Sequence, residues 1–457
     1  MKRKWILVAA MVLVVAMLVS FSLIGCKTTK TETTAAVTTE TTTAAAETTA
    51  ATTAEAKEEI KLVFANWASA EEATRATLNA VIDEFIKIHP NVKIENLGIP
   101  FDQVGRQLIT MAAGGNAPDV MQLNGNWPFE LGSMGALMDL NEVAEPEYLA
   151  DNYKGGLEIG TYEGKLYAVP YALTSHGFWY NKDIMAAAGI ESVPATMDEL
   201  MDACVKIKDK LGAGGVYGLG VDTTKIDYSL IGFIPWMWTF GATPLEGGVN
   251  FNTPENKKCF EWLREIVAKG YNPLGLQIKE LRELTAKDKI AFKLDGPYCL
   301  GILRSLNPEL EGNAFFDKFG VTTTPKSDKV SSPQILADIH NLGISSQCKN
   351  KEMAWEFVKF LTSSDISITT YLLPMGCVLP LKSQNTGAYS KSFENPVMKS
   401  FLEEVMPNMK AFPFGPKYGP ASQFIINAMQ EAVTTDKPID DILANCEASL
   451  KLLYGEE

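Results

Sequence analysis

The chain has 457 residues, enough for about three domains of ordinary size. Hydrophobic residues make up 46% and charged residues 21% of it, close to globular averages, which excludes collagen, a coiled coil and a wholly disordered chain. The 55 acidic residues outnumber the 41 basic ones and give a formal charge of −14, so the surface repels phosphate backbones and nucleic acid is excluded as a partner.

The first 26 residues have the organisation of an export signal. Lys2, Arg3 and Lys4 form a short basic segment, and residues 5–25 form an apolar run. At about 1.5 Å per residue this run is long enough to cross a bilayer, so a retained membrane anchor is one interpretation. The run ends in Leu-Ile-Gly-Cys, which resembles a bacterial lipobox and implies cleavage before Cys26 and lipidation of that residue. Both interpretations place the body of the protein at the extracytoplasmic face of a cell membrane.

Residues 27–57 consist mainly of Thr and Ala and contain no aromatic residue. Such a segment buries too little apolar surface to offset the entropy of ordering it, so we expect a disordered tether. The composition also allows O-glycosylation.

Strands and helices alternate from residue 60 onward. A β-rich run at 60–65 is followed by a capping box at 69–72 and an amphipathic helix, and a second strand is predicted at 92–95. A helix over 101–113 and a strand at 118–123 complete a βαβαβ order, which predicts a parallel sheet. Ligands bind such sheets beyond the carboxyl ends of the strands, where Asn66, Trp67, Asn124, Asn126 and Trp127 follow.

A second α/β unit is predicted after residue 172. Residues 178–180 have a strand pattern, and Thr196 and Glu199 form a second capping box before an amphipathic helix. Further helices are predicted at 255–268, 351–361 and 440–453. The chain therefore reads as two α/β lobes.

The body contains six cysteines, none in a C-x-x-C pair or at zinc-finger spacing. A chain of this size does not need disulfides for stability, so we interpret them as small buried hydrophobic residues in preference to a disulfide framework. They are Cys204, Cys259, Cys299, Cys348, Cys377 and Cys446.

Motifs for nucleotide, zinc-peptidase and serine-hydrolase chemistry do not occur in the sequence. The histidines His89, His176 and His340 are far apart, so we expect neither a metal nor a cofactor. A pair of glycosidase carboxylates could lie anywhere among the acidic residues, which leaves a secreted hydrolase open on chemical grounds.

Several segments together resemble the extracellular solute-binding proteins of ABC importers, in the sugar-binding group that includes maltose-binding proteins. GNAPDV at 115–120 and GALMDL at 135–140 are similar to the pattern of the first lobe, and YAVPY at 167–171 with YNKD at 180–183 to the crossover into the second. Residues 349–361 resemble a late helix of the family. The chain departs from the family pattern at residues 338–341 and at Tyr298, where ligand-facing groups are expected.

The resemblance implies an α/β fold of two lobes, of the periplasmic-binding-protein type, with a ligand cleft between lobes joined by crossover segments. It implies a signal peptide (1–26), a tether (27–57), a first lobe formed by 58–172 and 337–373, and a second lobe formed by 173–336 and 374–457. The implied protein is a monomeric, lipid-anchored receptor without enzymatic activity, which binds a carbohydrate and delivers it to the membrane subunits of an ABC permease. A cell-surface carbohydrate-active hydrolase and a receptor for a non-sugar solute are the alternatives.

A sugar presents an apolar CH face and a rim of hydroxyls, which aromatic rings and polar side chains respectively complement. We expect no arginine in the site, and at most one of Trp236 and Trp238 to point into it because their spacing separates them on a helix. The predicted aromatic site residues are Trp67, Trp127, Tyr171, Trp236, Trp238, Tyr298 and Tyr418. The predicted polar site residues are Asn66, Glu71, Asn124, Asn126, His176, Asp295 and His340.

Overall fold

A computed structural model describes residues 58–243, 245, 248–410 and 415–456. The signal segment, Cys26 and the tether lie outside the described residues, so what was predicted for them stays a prediction. Within the described ranges, no helix is at once long and apolar enough to cross a bilayer.

Nine strands of the described chain form two larger sheets. In chain order they are β1 (Ile60–Asn66), β2 (Val92–Gly98), β3 (Val120–Asn124), β4 (Val169–Ala172), β5 (Gly177–Asn181), β6 (Tyr217–Leu219), β7 (Ile290–Asp295), β8 (Phe319–Thr322) and β9 (His340–Ile344). Two-residue strands also pair Thr161–Tyr162 with Lys165–Leu166, and Ile335–Leu336 with Met409–Lys410.

The first sheet has the order β2-β1-β3-β9-β4. Its strands β2 and β3 flank β1 and run parallel to it, which confirms the arrangement predicted from the βαβαβ order. Strand β9 returns from much later in the chain and lies antiparallel between β3 and β4. Its register places His340 opposite Asn124, at the carboxyl end of β3.

The second sheet has the order β8-β5-β7-β6. The predicted strand at 178–180 is confirmed as part of β5, which runs antiparallel to both β7 and β8. The chain leaves the first sheet after β4 and returns to it at β9. The protein thus has two α/β lobes joined by crossover segments, with one sheet at the centre of each.

Helices cover both sheets, and those predicted at 255–268, 351–361 and 440–453 are confirmed with their ends moved by one or two residues. The helix over Phe101–Ala113 has the predicted ends. The α-helices are Glu72–Ile88, Phe101–Ala113, Trp127–Ser133, Pro146–Asp151, Lys154–Gly160, Lys182–Ala188, Met197–Leu211, Asp227–Thr239, Pro254–Ala268, Ile278–Ala286, Cys299–Leu306, Asn313–Lys318, Lys351–Ser363, Asp365–Ser367, Lys382–Thr386, Pro396–Ser400, Tyr418–Thr434 and Ile439–Tyr454.

The capping box predicted at Thr196 and Glu199 forms in part, because the Glu199 carboxylate bonds to Ala195 and not to the N–H of the N-cap residue Thr196. The hydroxyl of Thr196 accepts from the backbone N–H of Glu199, and the Glu199 carboxylate accepts from the N–H of Ala195. The box predicted at 69–72 was wrong, because Ser69 donates its backbone N–H to Asn66 and its hydroxyl to Asn96 instead. The first helix therefore begins at Glu72 without a side-chain cap.

The six cysteines of the body are buried and unpaired in the described part of the chain, as the sequence predicted. Each lies among apolar side chains, and burial raises the pKa of the Cys204 thiol to about 12. These residues therefore serve as small packing groups.

Residues 378–386 differ from the expectation that everything after 373 belongs to the second lobe. Val378 forms a β-bridge with Leu173, and Leu381 forms one with Asn152. Ser383 donates its backbone N–H to the carboxylate of Asp151 over 3.1 Å. These contacts hold the segment against the first lobe, because backbone groups at its start pair with the chain that leaves β4.

Candidate functional site

A cleft lies between the lobes at the carboxyl end of β3. Residues of both lobes and of a crossover segment line it. This is the edge at which an α/β sheet binds its ligands. The lining residues are Asn124, Gly125, Asn126, Trp127, Ile231, Leu336, Ala337, Asp338 and Tyr418. The structure therefore brings together Asn124, Asn126, Trp127 and Tyr418 from the predicted set.

Aromatic rings form one wall of this region. Trp127 begins a short helix, and its ring fits against Gly105, where a Cβ atom would come within 2.6 Å of the indole. Trp67 lies edge-on to Trp127 with ring centroids 6.2 Å apart, and edge-on to His340 at 4.9 Å. Phe101 packs against Trp67 at 5.4 Å and reaches Tyr228 of the second lobe at 5.9 Å. The rings thus connect the two lobes across the cleft.

Asp338 is the centre of the polar wall. Its carboxylate accepts from the Asn124 amide over 2.6 Å and from the Tyr298 hydroxyl over 3.1 Å. Nε2 of His176 lies 3.3 Å from the same carboxylate. Burial opposes ionisation of Asp338, but the hydrogen bond and charge of His176 and the donors around it hold its pKa well below the ordinary value. The cleft therefore contains a buried, ionised and hydrogen-bonded carboxylate.

A second carboxylate, Asp295, lies at the end of β7. Arg282 donates to it through two nitrogens at 2.9 and 2.8 Å, and Lys293 contacts it as well. Although burial opposes its ionisation, these two cations lower the pKa of Asp295 far below the usual range. Bidentate pairing of this kind fixes the plane of the guanidinium group.

The guanidinium group of Arg282 also lies over two tyrosine rings, 5.7 Å from the centroid of Tyr228 and 5.2 Å from that of Tyr298. Tyr228 donates to Asp295 over 3.3 Å. Arg282 therefore positions the two tyrosines that reach toward His176 and Asp338. Arg282 binds Asp295 beside the cleft and does not line the cavity, so the expectation that no arginine belongs to the site stays a prediction.

Two further predicted residues lie beside this network. The ring of His340 stacks on Tyr298 at 5.8 Å, and burial lowers the pKa of His340, while Asp338 opposes that shift. Burial raises the pKa of Glu71, and the charges of Arg282 and Lys279 from the other lobe oppose this. His340 thus offers a neutral imidazole near neutral pH, and Glu71 faces a basic group of the opposite lobe.

Four predicted residues have structural positions away from the cleft cavity. Tyr171 is 1% exposed and stacks on Tyr371 in the core of the first lobe. Asn66 donates to Asn96 over 2.7 Å and so holds the turn that precedes the first helix. These two predictions were wrong because strand-end position alone does not decide whether a side chain turns toward the cleft or toward its own lobe.

The other two predicted residues away from the cavity, Trp236 and Trp238, lie on the helix Asp227–Thr239. Trp236 is enclosed by Phe178 and Trp262 in the core of the second lobe, whereas the ring of Trp238 lies under the amine of Lys410. The two indoles therefore point to different sides of the helix, as their spacing requires, and neither lines the cavity.

Sequence reasoning missed Tyr228, Arg282 and Phe101, and it named Asp338 only as a departure from a family pattern. Tyr228 follows Asp227 at the start of a strongly apolar helix, and a polar aromatic residue at that point was the available signal. Among the described residues, no cluster of three His, Cys, Asp or Glu side chains has the geometry of a metal site.

Known proteins resemble this chain over most of its length. The family described as bacterial extracellular solute-binding protein matches residues 68–366. A putative ABC transporter periplasmic-binding protein of Escherichia coli K12, YcjN, is 23% identical over 372 residues, which cover 78% of this chain and 80% of that protein. A maltotriose-binding protein of Pyrococcus abyssi is 22% identical over 397 residues, covering 86% of this chain and 80% of the relative.

The fold is shared with solved structures. Maltose-bound MalE3 of T. maritima superimposes with a TM-score of 0.75 at 23% identity, and the match covers 86% of this chain and all of that one. The two-lobed architecture described above is thus the architecture of these binding proteins.

Proposed function

Because this chain belongs to the bacterial extracellular solute-binding proteins, we propose that it binds a carbohydrate in the cleft between its lobes and delivers it to an ABC-type membrane permease. Two relatives support the two halves of this proposal. YcjN is named as part of an ABC transporter, and the Pyrococcus abyssi relative is named for maltotriose binding.

The composition of the cleft is the observation that carries the carbohydrate assignment. The aromatic residues Trp127 and Tyr418 line the same cavity as the polar residues Asn124, Asn126 and Asp338. A sugar ring needs both kinds of surface at once, since its CH face is apolar and its hydroxyls donate and accept hydrogen bonds. A purely apolar or a purely charged solute would leave one of these walls without a partner.

Closure of the lobes is the proposed conformational step. Phe101 of the first lobe contacts Tyr228 of the second, and in this proposal such contacts between the lobes form on closure. A ligand that touches both walls favours the closed form by the free energy of the contacts that the open form lacks. The crossover residues Leu173 and Ser175, which form β-bridges with Val378 and Ala337, are the proposed hinge.

The proposal includes attachment to the extracytoplasmic face of the membrane through lipidated Cys26, with residues 27–57 as the tether. It also includes a monomeric state and the absence of catalysis. A receptor of this kind releases the bound sugar chemically unchanged.

A thermal-shift screen against neutral, amino and acidic mono- and oligosaccharides tests the function. A binding sugar at 100 times its Kd adds about 2.7 kcal/mol to the stability of the folded state, which raises the melting temperature by a measurable amount. Chromatography of the sugar after prolonged incubation distinguishes the alternatives, because a hydrolase shortens an oligosaccharide and a receptor does not. No shift with any sugar, or release of shorter products, would contradict the proposal.

A further inference from the structure

Two carboxylates that come from opposite lobes interact near one end of the cleft. Glu130 lies on the helix Trp127–Ser133 of the first lobe, and Asp227 lies in the first turn of the helix Asp227–Thr239 of the second. The Glu130 carboxylate rests against Gly419, where a Cβ atom would come within 3.0 Å of Oε1. Tyr418, the neighbour of Gly419, lines the cavity. Glu130 therefore lies beside a residue that lines the cavity, and the charge of Asp227 acts on it from the other lobe.

Polar atoms at this end lack hydrogen-bond partners. Asn126 is 2% exposed and lines the cavity, and neither Oδ1 nor Nδ2 of its amide has a partner among the described residues. The buried Oε2 of Glu130 also has none within that part of the chain. Buried polar groups in folded proteins nearly always have partners, so an amide and a carboxylate left open at one cavity indicate a group that arrives with the ligand.

The charged residues around this end indicate which sign of charge the ligand group carries. Arg106 is the basic residue whose charge acts on Asp227, whereas the two cations of the cleft network, Arg282 and Lys293, are already bound to Asp295. Burial and the charge of Asp227 raise the pKa of Glu130, although the backbone N–H of Gly419 opposes the shift. Burial likewise raises the pKa of Asp227, and Arg106 opposes it. The two acids thus outnumber the one cation that acts on them, and a further positive charge would relieve the repulsion between Glu130 and Asp227.

We propose that this end of the cleft is a subsite for the amine of an amino sugar, and that it rejects acidic sugars; the proposal rests on the carbohydrate function stated above. The ammonium group has three donors, and the carboxylates of Glu130 and Asp227 together with Oδ1 of Asn126 provide three acceptors. Trp127 receives the apolar face of the same ring. A uronic acid would bring a third negative charge to a desolvated site and leave these acceptors without donors.

Titration calorimetry near neutral pH with three β-1,4-linked disaccharides tests the subsite: the glucosamine disaccharide, cellobiose and the corresponding disaccharide uronate. The wild-type protein is expected to bind the amine at least about tenfold more tightly than cellobiose, a difference of about 1.4 kcal/mol, and the uronate most weakly. Glu130→Gln should reduce the ratio of amine to neutral affinity to near one, because the neutral amide keeps the shape and removes the charge.

Two controls accompany the measurement. Asp227→Asn should also bring the ratio of amine to neutral affinity closer to one. The test therefore does not depend on the folding of one variant. Glu158→Gln replaces an exposed carboxylate of the first lobe, paired with Lys154, and should leave all three affinities unchanged.

The outcomes separate this proposal from the one before it. Equal affinity for amine and neutral sugars, an unchanged ratio in both cleft variants, or preference for the uronate overturns the amine subsite and leaves the carbohydrate function standing. Failure of all three disaccharides to bind the wild-type protein overturns the amine subsite, and if the wider sugar screen is also negative the carbohydrate function falls with it.

Discussion

Asn124 donates a 2.6 Å hydrogen bond from its side-chain amide to Asp338 and thereby joins the end of β3 to a crossover segment between the lobes. Tyr298 of the second lobe donates to the same carboxylate. One buried acid therefore holds groups of the first lobe, the second lobe and the connection between them. A ligand that competes for these donors acts directly on the equilibrium between open and closed forms.

Replacement of Asp338 by Asn should weaken the closed form. The variant keeps the size of the side chain but removes the charge to which His176, Tyr298 and Asn124 are directed, and a hydrogen bond to a charged group contributes about 1.5–3 kcal/mol. We expect a lower melting temperature and weaker ligand binding by calorimetry. Unchanged values for both would mean that the carboxylate is not ionised in the folded protein.

The stability that Asp338 contributes should depend on pH. The pKa of Asp338 is lower in the folded than in the unfolded state, so the unfolded chain takes up a proton first on acidification. The stability due to this carboxylate is complete above the ordinary Asp pKa of about 3.9 and is lost as the pH falls below it. The difference in melting temperature between wild type and Asp338→Asn should therefore shrink in acid, and a difference that grew there would contradict the assignment.

Truncation of Trp127 to Ala should reduce affinity as well as stability, because the buried ring packs against Gly105 and also lines the cavity. The ring lines the cavity, so its loss should cost on the order of 2–4 kcal/mol of binding, or about thirty- to a thousandfold in Kd. Trp355→Ala is the comparison, because that ring is buried in the first lobe away from the cleft. It should lower stability by about 3–5 kcal/mol while the folded fraction binds normally. Normal binding by the folded fraction of the Trp127 variant would show that this ring serves packing and not the ligand.

Arg282→Lys should impair binding although the charge is kept. Lysine cannot form the two parallel bonds to Asp295 or lie flat over Tyr228 and Tyr298, so both tyrosines lose their fixed position. We expect at least about tenfold weaker binding, which corresponds to about 1.4 kcal/mol. Arg264→Lys is the matched control, since Arg264 donates to the backbone carbonyls of Ala432 and Lys437 and not to Asp295. Equal loss of affinity in both variants would point to a general effect on folding.

Ligand should make the protein more compact. If the lobes close about the hinge, small-angle scattering should show a smaller radius of gyration at saturating sugar than without it. An unchanged radius at saturation, confirmed by calorimetry on the same sample, would show that the free protein is already closed.

Cys26→Ser should abolish lipid attachment. The serine side chain has no thiol for acylation, so metabolic labelling with a radioactive fatty acid is expected to mark the wild-type protein and not the variant. Label retained on the variant would rule out Cys26 as the lipid site.

The sequence by itself determined the strand ends on which the cleft is built. Asn124, Asn126 and Trp127 follow β3, and their place at the carboxyl edge follows from the parallel order of β1, β2 and β3. The order of strands and helices is a local property of hydrophobic periodicity, which is why the two α/β lobes and the ends of several long helices could be predicted.

Tertiary structure alone decided which polar groups meet in the cleft. Arg282 and Asp338 come from elements far apart in the chain, and only the packing of the lobes brings Tyr298 into contact with both. Contacts that depend on tertiary packing also explain why Asn66 and Trp236 were placed in the site by prediction, although their side chains contact partners within their own lobe. Periodicity fixes the element to which a side chain belongs, but its direction and charge environment depend on neighbours that arrive from the rest of the fold.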